Sequence, residues 1–154
     1  MRQNNFSKNV ISTFSRASVF TGAGLGAVAR TFIRPYTWLA EYEGEIFTPD
    51  DIKDLVRRHA DDDNEIVRSY AFTVSRNHRS VYSVDASRVE TSNWLRWLNC
   101  PRTRHEENVR YVQCHGKVFF VTTRWVLPGE ELLVYYGDSY AQWLGIDQEQ
   151  FSHY

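Results

Sequence analysis

The apolar positions of this chain fall in short runs, most of them alternating with polar residues. Tyr70, Phe72 and Val74 alternate, as do Tyr82 and Val84, with Asn77-His78-Arg79 between the two runs. A period of two on both sides of turn residues predicts a β-hairpin. The same reasoning predicts a second hairpin from Val109–Cys114 and Lys117–Thr123 around His115-Gly116. Trp38 to Tyr42 reads as a strand running into Glu43-Gly44-Glu45. Glu131 to Tyr136 reads as another, after the turn Leu127-Pro128-Gly129-Glu130. Helical signals are fewer. Thr48-Pro49-Asp50-Asp51 supplies a hydroxyl cap, a proline at the first position and acids in the first turn. Ile52, Leu55, Val56 and His59 follow at helical spacing, which predicts a short helix over 49–60, ended by the loop Asp61-Asp62-Asp63-Asn64. Thr91-Ser92-Asn93 can cap a short turn carrying Trp94, Leu95, Trp97 and Leu98, and Asp138 to Leu144 reads as a last short helix stopped by Gly145. Residues 1–18, rich in Ser, Asn and Thr, carry no such pattern and are expected to be a loose leader. The expectation is a mainly β domain with short helices (α+β) over 19–146, followed by a short tail at 147–154.

Composition narrows the function classes. A chain of 154 residues is one domain's worth and buries about two-thirds of its unfolded surface. Apolar residues make up 42%, and the five Trp, nine Tyr and nine Phe are enough to fill a core and still line a pocket. A net charge of -1 draws the chain neither to nucleic acid nor to anionic membranes. Two cysteines and five scattered histidines build neither a disulfide framework nor a zinc site, so no metal is expected. No apolar run approaches the ~20 residues of a membrane span, and the polar start MRQNNFSKN is not a secretory signal. A soluble intracellular protein is expected, of unassigned oligomeric state.

The stretch Thr21-Gly22-Ala23-Gly24-Leu25-Gly26-Ala27-Val28-Ala29-Arg30 raises a sharper question. Gly22, Gly24 and Ala27 fit G-x-G-x-x-A, with the acids Glu41 and Glu43 following, as in a dinucleotide-binding turn. That fold requires parallel strands alternating with long helices, whereas here Pro35 interrupts within nine residues of Gly26 and hairpins follow. Dinucleotide binding is therefore the weakest of the readings.

Four segments in order resemble the SET methyltransferase fold, in its PR-domain branch: GAGLGAVA (22–29), EYEGE (41–45), NWLRWLNC (93–100) with Asn108 beyond it, and PGEELLVYYGDSYAQWLGI (128–146). The resemblance covers about residues 18–146, including the strand pair from Tyr70 to Asp85. It implies a pseudo-knotted assembly of small β-sheets, with S-adenosyl-L-methionine on one side and a target lysine entering a narrow channel from the other. It further implies cofactor contacts at Ala23, Gly24, Leu25, Tyr70, Asn99 and Cys100, the last standing where most SET domains have His. The glycines would then allow a close backbone approach to a sulfonium cofactor, with no phosphate involved.

The resemblance also places Tyr136 on the catalytic tyrosine and Tyr42 on a second channel tyrosine. Methyl transfer to lysine is an in-line displacement in which positioning is the main task. Free lysine has a pKa of ~10.4, so deprotonation at pH 7 costs about 4–5 kcal/mol. A dry aromatic channel with a cation nearby disfavours the ammonium, and a phenol can orient the amine. Glu41, Glu43, Glu45 and Asp61-Asp62-Asp63 can receive a basic, lysine-containing peptide such as a histone tail. The chain departs from the pattern at Phe120, where some active PR domains have tyrosine, and at Tyr135, where the usual SET residue is Asp. It also holds no Cys-rich segment of the kind that closes many SET channels with zinc, so the tail 147–154 or a partner is expected to cover the site. The leading expectation is a nuclear histone-lysine N-methyltransferase acting on histone H3. The alternative is a weakly active or inactive PR-type protein-interaction module.

Overall fold

The computed structural model describes residues 25–51, 70–77, 79–138, 142 and 145, together with the backbone of 11–17. The predicted tail 147–154, the loop 61–64 and most of the predicted helices at 49–60 and 138–144 lie outside these residues. Among the described residues the elements are β1 (Ile11–Ala17), β2 (Leu25–Ala29), β3 (Trp38–Glu41), β4 (Glu45–Phe47), β5 (Ala71–Arg76), β6 (Arg79–Asp85), a 3-10 helix (Trp94–Trp97), β7 (Val109–Cys114) and β8 (Lys117–Thr122). They form three small sheets, ordered β1-β2, β3-β8-β7 and β4-β6-β5. The mainly β, many-sheeted architecture is the expected one.

Both predicted hairpins are present. Asn77 turns β5 into β6 with a φ of 50°, and His115 and Gly116 turn β7 into β8 with φ of 50° and 74°. Two successive residues in the left-handed region match the twist of a tight hairpin. The predicted helix start at Thr48 is also seen: Asp51 N–H donates to Thr48 Oγ1 at 3.3 Å, and Asp51 Oδ2 accepts from Thr48 N–H at 2.8 Å. This reciprocal pairing is a capping box with Asp in the role of Glu, and it holds the Asp51 carboxyl below its usual pKa. The cap expected before Trp94 is there too, with Asn93 Oδ1 accepting from Leu95 N–H at 3.1 Å.

Two expectations are corrected. Residues 11–17, read as part of a loose leader, form β1 and pair antiparallel with β2, Ile11 opposite Ala29 and Thr13 opposite Ala27. Glu131 to Tyr136 is not a continuous strand. Its residues make isolated bridges to three different segments: Glu131 with Val28, Leu133 with Asn99, and Val134 with Val109. The dinucleotide reading also fails on topology, because the strands on either side of Gly22 and Gly24, β1 and β2, pair antiparallel with each other.

The chain divides into two compact units. The first takes in Met1–Leu39, Trp97–Tyr111 and Phe120–Tyr154. Its core holds Ala27, Ile33, Leu98, Val109, Val126 and Leu132, all nearly or wholly removed from water. Asn108, 0% exposed, ties this core together. Its Oδ1 accepts from Leu133 N–H at 2.8 Å and its Nδ2 donates to the Glu131 carbonyl at 2.8 Å, so the buried amide is satisfied at both ends. The second unit takes in Ala40–Arg96 and Val112–Phe119, with Val74, Val84, Leu95 and Val118 in its core. In it β4 and β5 flank β6, with Glu45 opposite Asp85 and Phe72 opposite Val84.

Candidate active site

The first unit gathers Leu25, Asn99, Cys100 and Tyr136 from three separate sequence segments. Val134 N–H donates to the Asn99 carbonyl at 2.9 Å, which seats the 128–138 segment beside NWLRWLNC. The Asn99 amide nitrogen donates twice, to the Leu25 carbonyl at 3.1 Å and to Glu131 Oε1 at 2.7 Å. Cys100 is buried at 8% exposure. Burial pushes its thiol up to about 11, against the opposing pull of the Tyr136 backbone N–H. The side chain is therefore a small apolar filler rather than a nucleophile. The Tyr136 hydroxyl donates to the Leu98 carbonyl. Tyr136 is 36% exposed and is followed by Gly137 at a φ of 97°. The neighbouring Tyr135 hydroxyl is engaged with Asp138 Oδ1 at 2.7 Å. Phe120 is buried at 4% exposure. Ala23 and Gly24 lie outside the described residues.

The second unit holds Tyr42 and Tyr70. The Tyr42 hydroxyl donates to the Tyr70 carbonyl at 2.9 Å, and its ring meets Phe72 edge-on at 6.3 Å. Burial, with the Asp85 carboxylate nearby, raises the Tyr42 phenol well above its ordinary value, so it stays protonated and donating. The Tyr70 ring lies under the Arg96 guanidinium at 4.7 Å. Arg96 is 9% exposed, and its Nε and Nη2 donate to the carbonyls of Ala86 and Ser87 at 2.8 and 2.7 Å. The sequence reading missed Arg96. The signal was an arginine set between two tryptophans, a position too apolar for a solvated cation.

Beside Tyr42 lies a cleft of about 280 Å³, also lined by Glu41, Glu43, Gly44, Tyr82 and Lys117. The expected acidic face is partly neutralised by the chain itself. Glu41 pairs with Lys117 at 2.8 Å, which raises the lysine's pKa, and Glu45 pairs with Arg88 at 3.0 Å. Both pairs are open to water and contribute little to stability. Asp61 to Asp63 lie outside the described residues.

The family model for the PR domain of PR domain zinc finger protein 2 matches residues 15–147. The chain belongs to the PR-domain branch of the SET family. This PR domain is 35% identical over 89 residues to histone-lysine N-methyltransferase PRDM7 of Homo sapiens, a match covering 58% of the chain and 18% of that protein. It is 32% identical over 123 residues to histone-lysine N-methyltransferase set-17 of Caenorhabditis elegans, covering 80% of the chain and 40% of the relative. The chain thus spans well under half the length of either. Among solved structures, the methyltransferase domain of human PR domain-containing protein 2 superposes with a TM-score of 0.62 at 22% identity, over 84% of this chain and 79% of that one. The ctPRC2 complex in an autoinhibited conformation bound to S-adenosylmethionine superposes with a TM-score of 0.65 at 25% identity, over 84% of this chain and 15% of that one.

Proposed function

We propose that this PR domain is an S-adenosylmethionine-dependent protein-lysine N-methyltransferase that acts in the nucleus on a basic peptide, a histone H3 tail. The observation that carries the reading is the cluster of the first unit. There Asn99, Cys100 and Tyr136, drawn from two motifs of the family, are hydrogen-bonded into one patch. The patch fits the cofactor. Asn99 Oδ1 has no hydrogen-bond partner among the described residues and is an acceptor suited to an ammonium group. When bound, the cofactor supplies an activated methyl on a sulfonium, and the protein's own task is positioning.

Tyr136 carries the catalytic role in this reading. Its hydroxyl hydrogen is committed to Leu98, so its oxygen takes a hydrogen bond from the incoming amine and leaves the nitrogen lone pair to point at the methyl carbon. Tyr42 has the second role. Within the second unit its hydroxyl is fixed on the Tyr70 carbonyl, and by the family resemblance its ring is a channel wall that holds a methylated ammonium by cation–π contact. Lysine deprotonation is then the remaining demand. The rate of methyl transfer is expected to rise from pH 7 to pH 9 by about tenfold or more, toward the free-lysine pKa of ~10.4. Tyr42 adds no falling limb in that range, because its phenol is held protonated. Initial rates across this range with saturating cofactor check the point, and a fall above pH 8 with the protein still folded would contradict it.

The second reading, a PR-type interaction module, is favoured by Phe120, a buried ring without a hydroxyl. Calorimetric titration with S-adenosylmethionine separates the two. One saturable site per chain supports the enzyme, and no heat at millimolar cofactor supports the module.

A further inference from the structure

The amide of Asn99 is held in one orientation, and the group that holds it is Glu131. We infer that Glu131, seated against Gly26, is a positioning residue. It turns the Asn99 carbonyl oxygen, rather than its N–H, toward the amino-acid end of the cofactor. The inference rests on the cofactor reading above and assigns its polarity.

The amide hydrogens of Asn99 fix its orientation. Nδ2 carries two, and both are used, one on the Leu25 carbonyl at 3.1 Å and one on Glu131 Oε1 at 2.7 Å. A flipped amide would set Oδ1 against two oxygens and lose both bonds, so the hydrogen-bond chemistry excludes it. Oδ1 is left as the acceptor that no described residue satisfies, and a ligand donor is what completes it. An ammonium is such a donor and a carboxylate is not.

Glu131 is able to do this because its backbone cannot shift. On either side of it, Ala29 N–H donates to the Glu130 carbonyl at 2.9 Å and Leu132 N–H to the Ala27 carbonyl at 2.8 Å. Asn108 Nδ2 holds the Glu131 carbonyl itself at 2.8 Å. Glu131 is 6% exposed, so its carboxyl group has little water to turn to. Gly26 completes the device. A Cβ at this position would run into the Glu131 carboxylate and stand 3.2 Å from Asn99 Nδ2. The third glycine of GAGLGAVA therefore makes room for an acid of the protein, not for a ligand.

The test compares two ligands by calorimetry: S-adenosylhomocysteine, which keeps the amino-acid end, and 5′-methylthioadenosine, which lacks it. Glu131→Met removes the acceptor at similar volume. It is expected to weaken S-adenosylhomocysteine about tenfold, as the loss of an ordered hydrogen bond to a charge would, and to leave 5′-methylthioadenosine within about twofold. Glu131→Gln, which keeps an acceptor oxygen, is expected to restore most of the loss. In parallel, NMR of the Asn99 side-chain amide, assigned through Asn99→Ala, should show slow exchange of both protons in the wild type and rapid exchange of one in Glu131→Met. Equal weakening of both ligands, no weakening at all, or unchanged amide exchange would overturn the inference. If the wild type binds neither ligand, the cofactor reading fails while the amide exchange still decides whether Glu131 holds Asn99.

Discussion

Tyr136→Phe is expected to lower kcat for methyl transfer by about 100-fold or more, the size of effect that misplacing a reacting group can have. The change removes one oxygen and keeps the ring. Its structural cost is the hydrogen bond to the Leu98 carbonyl, about 1 kcal/mol. S-adenosylhomocysteine binding should stay within about threefold, because Asn99 and its partners are untouched. That split between kcat and cofactor affinity distinguishes orientation of the amine from a general loosening of the site. Steady-state kinetics alongside calorimetry of the same preparation read it out. A variant with full kcat would remove Tyr136 from the chemistry.

The second large effect is on stability and comes from Gly44. A Cβ there would overlap the carbonyl of Asp85. Two backbones meet at this point, so no side chain can rotate aside to relieve the contact. Glu45, the next residue, pairs with Asp85 in the β4-β6 ladder, and relief would require the strands to part. Gly44→Ala should therefore destabilise the protein by about 3 kcal/mol, at the upper end of overpacking costs. In a domain of this size that lowers Tm by roughly 6–12 °C. Thermal and urea unfolding measure the change, and a loss below about 0.5 kcal/mol would mean that the two backbones are not packed this closely.

Legibility in the sequence followed the range of the interactions. Turns and caps are local chemistry. Asn77, His115-Gly116, Thr48-Asp51 and Asn93 each declared a turn or a helix start within a few residues, and the structure has both hairpin turns and both caps. The segment after Gly129 was misread because its apolar run looks like one strand. Its hydrogen bonds in fact go to Ala27, Asn99 and Asn108, far apart in sequence. β1 was missed for the complementary reason. Ile11–Ala17 has no alternating apolar pattern, and its strand character comes from pairing with β2.

The candidate site was legible where motifs carried it and opaque where partners did. Asn99 and Tyr136 stood out by resemblance, and the structure places them in one patch. Glu131 did not stand out, because an acid in GEELL reads as solvated until Gly26 and Asn99 are seen against it. Arg96 was hidden in the same way, its role depending on the carbonyls of Ala86 and Ser87 and on the Tyr70 ring. Buried charges take their meaning from what satisfies them, and that information is non-local.

The central claim is that this PR domain methylates lysine. The direct measurement is mass spectrometry of a histone-tail peptide panel incubated with the chain and S-adenosylmethionine. The account predicts methylation of a lysine in an H3 peptide, lost when that lysine is replaced by arginine and strongly reduced with Tyr136→Phe. No methyl on any peptide, from a folded protein at saturating cofactor, would contradict it.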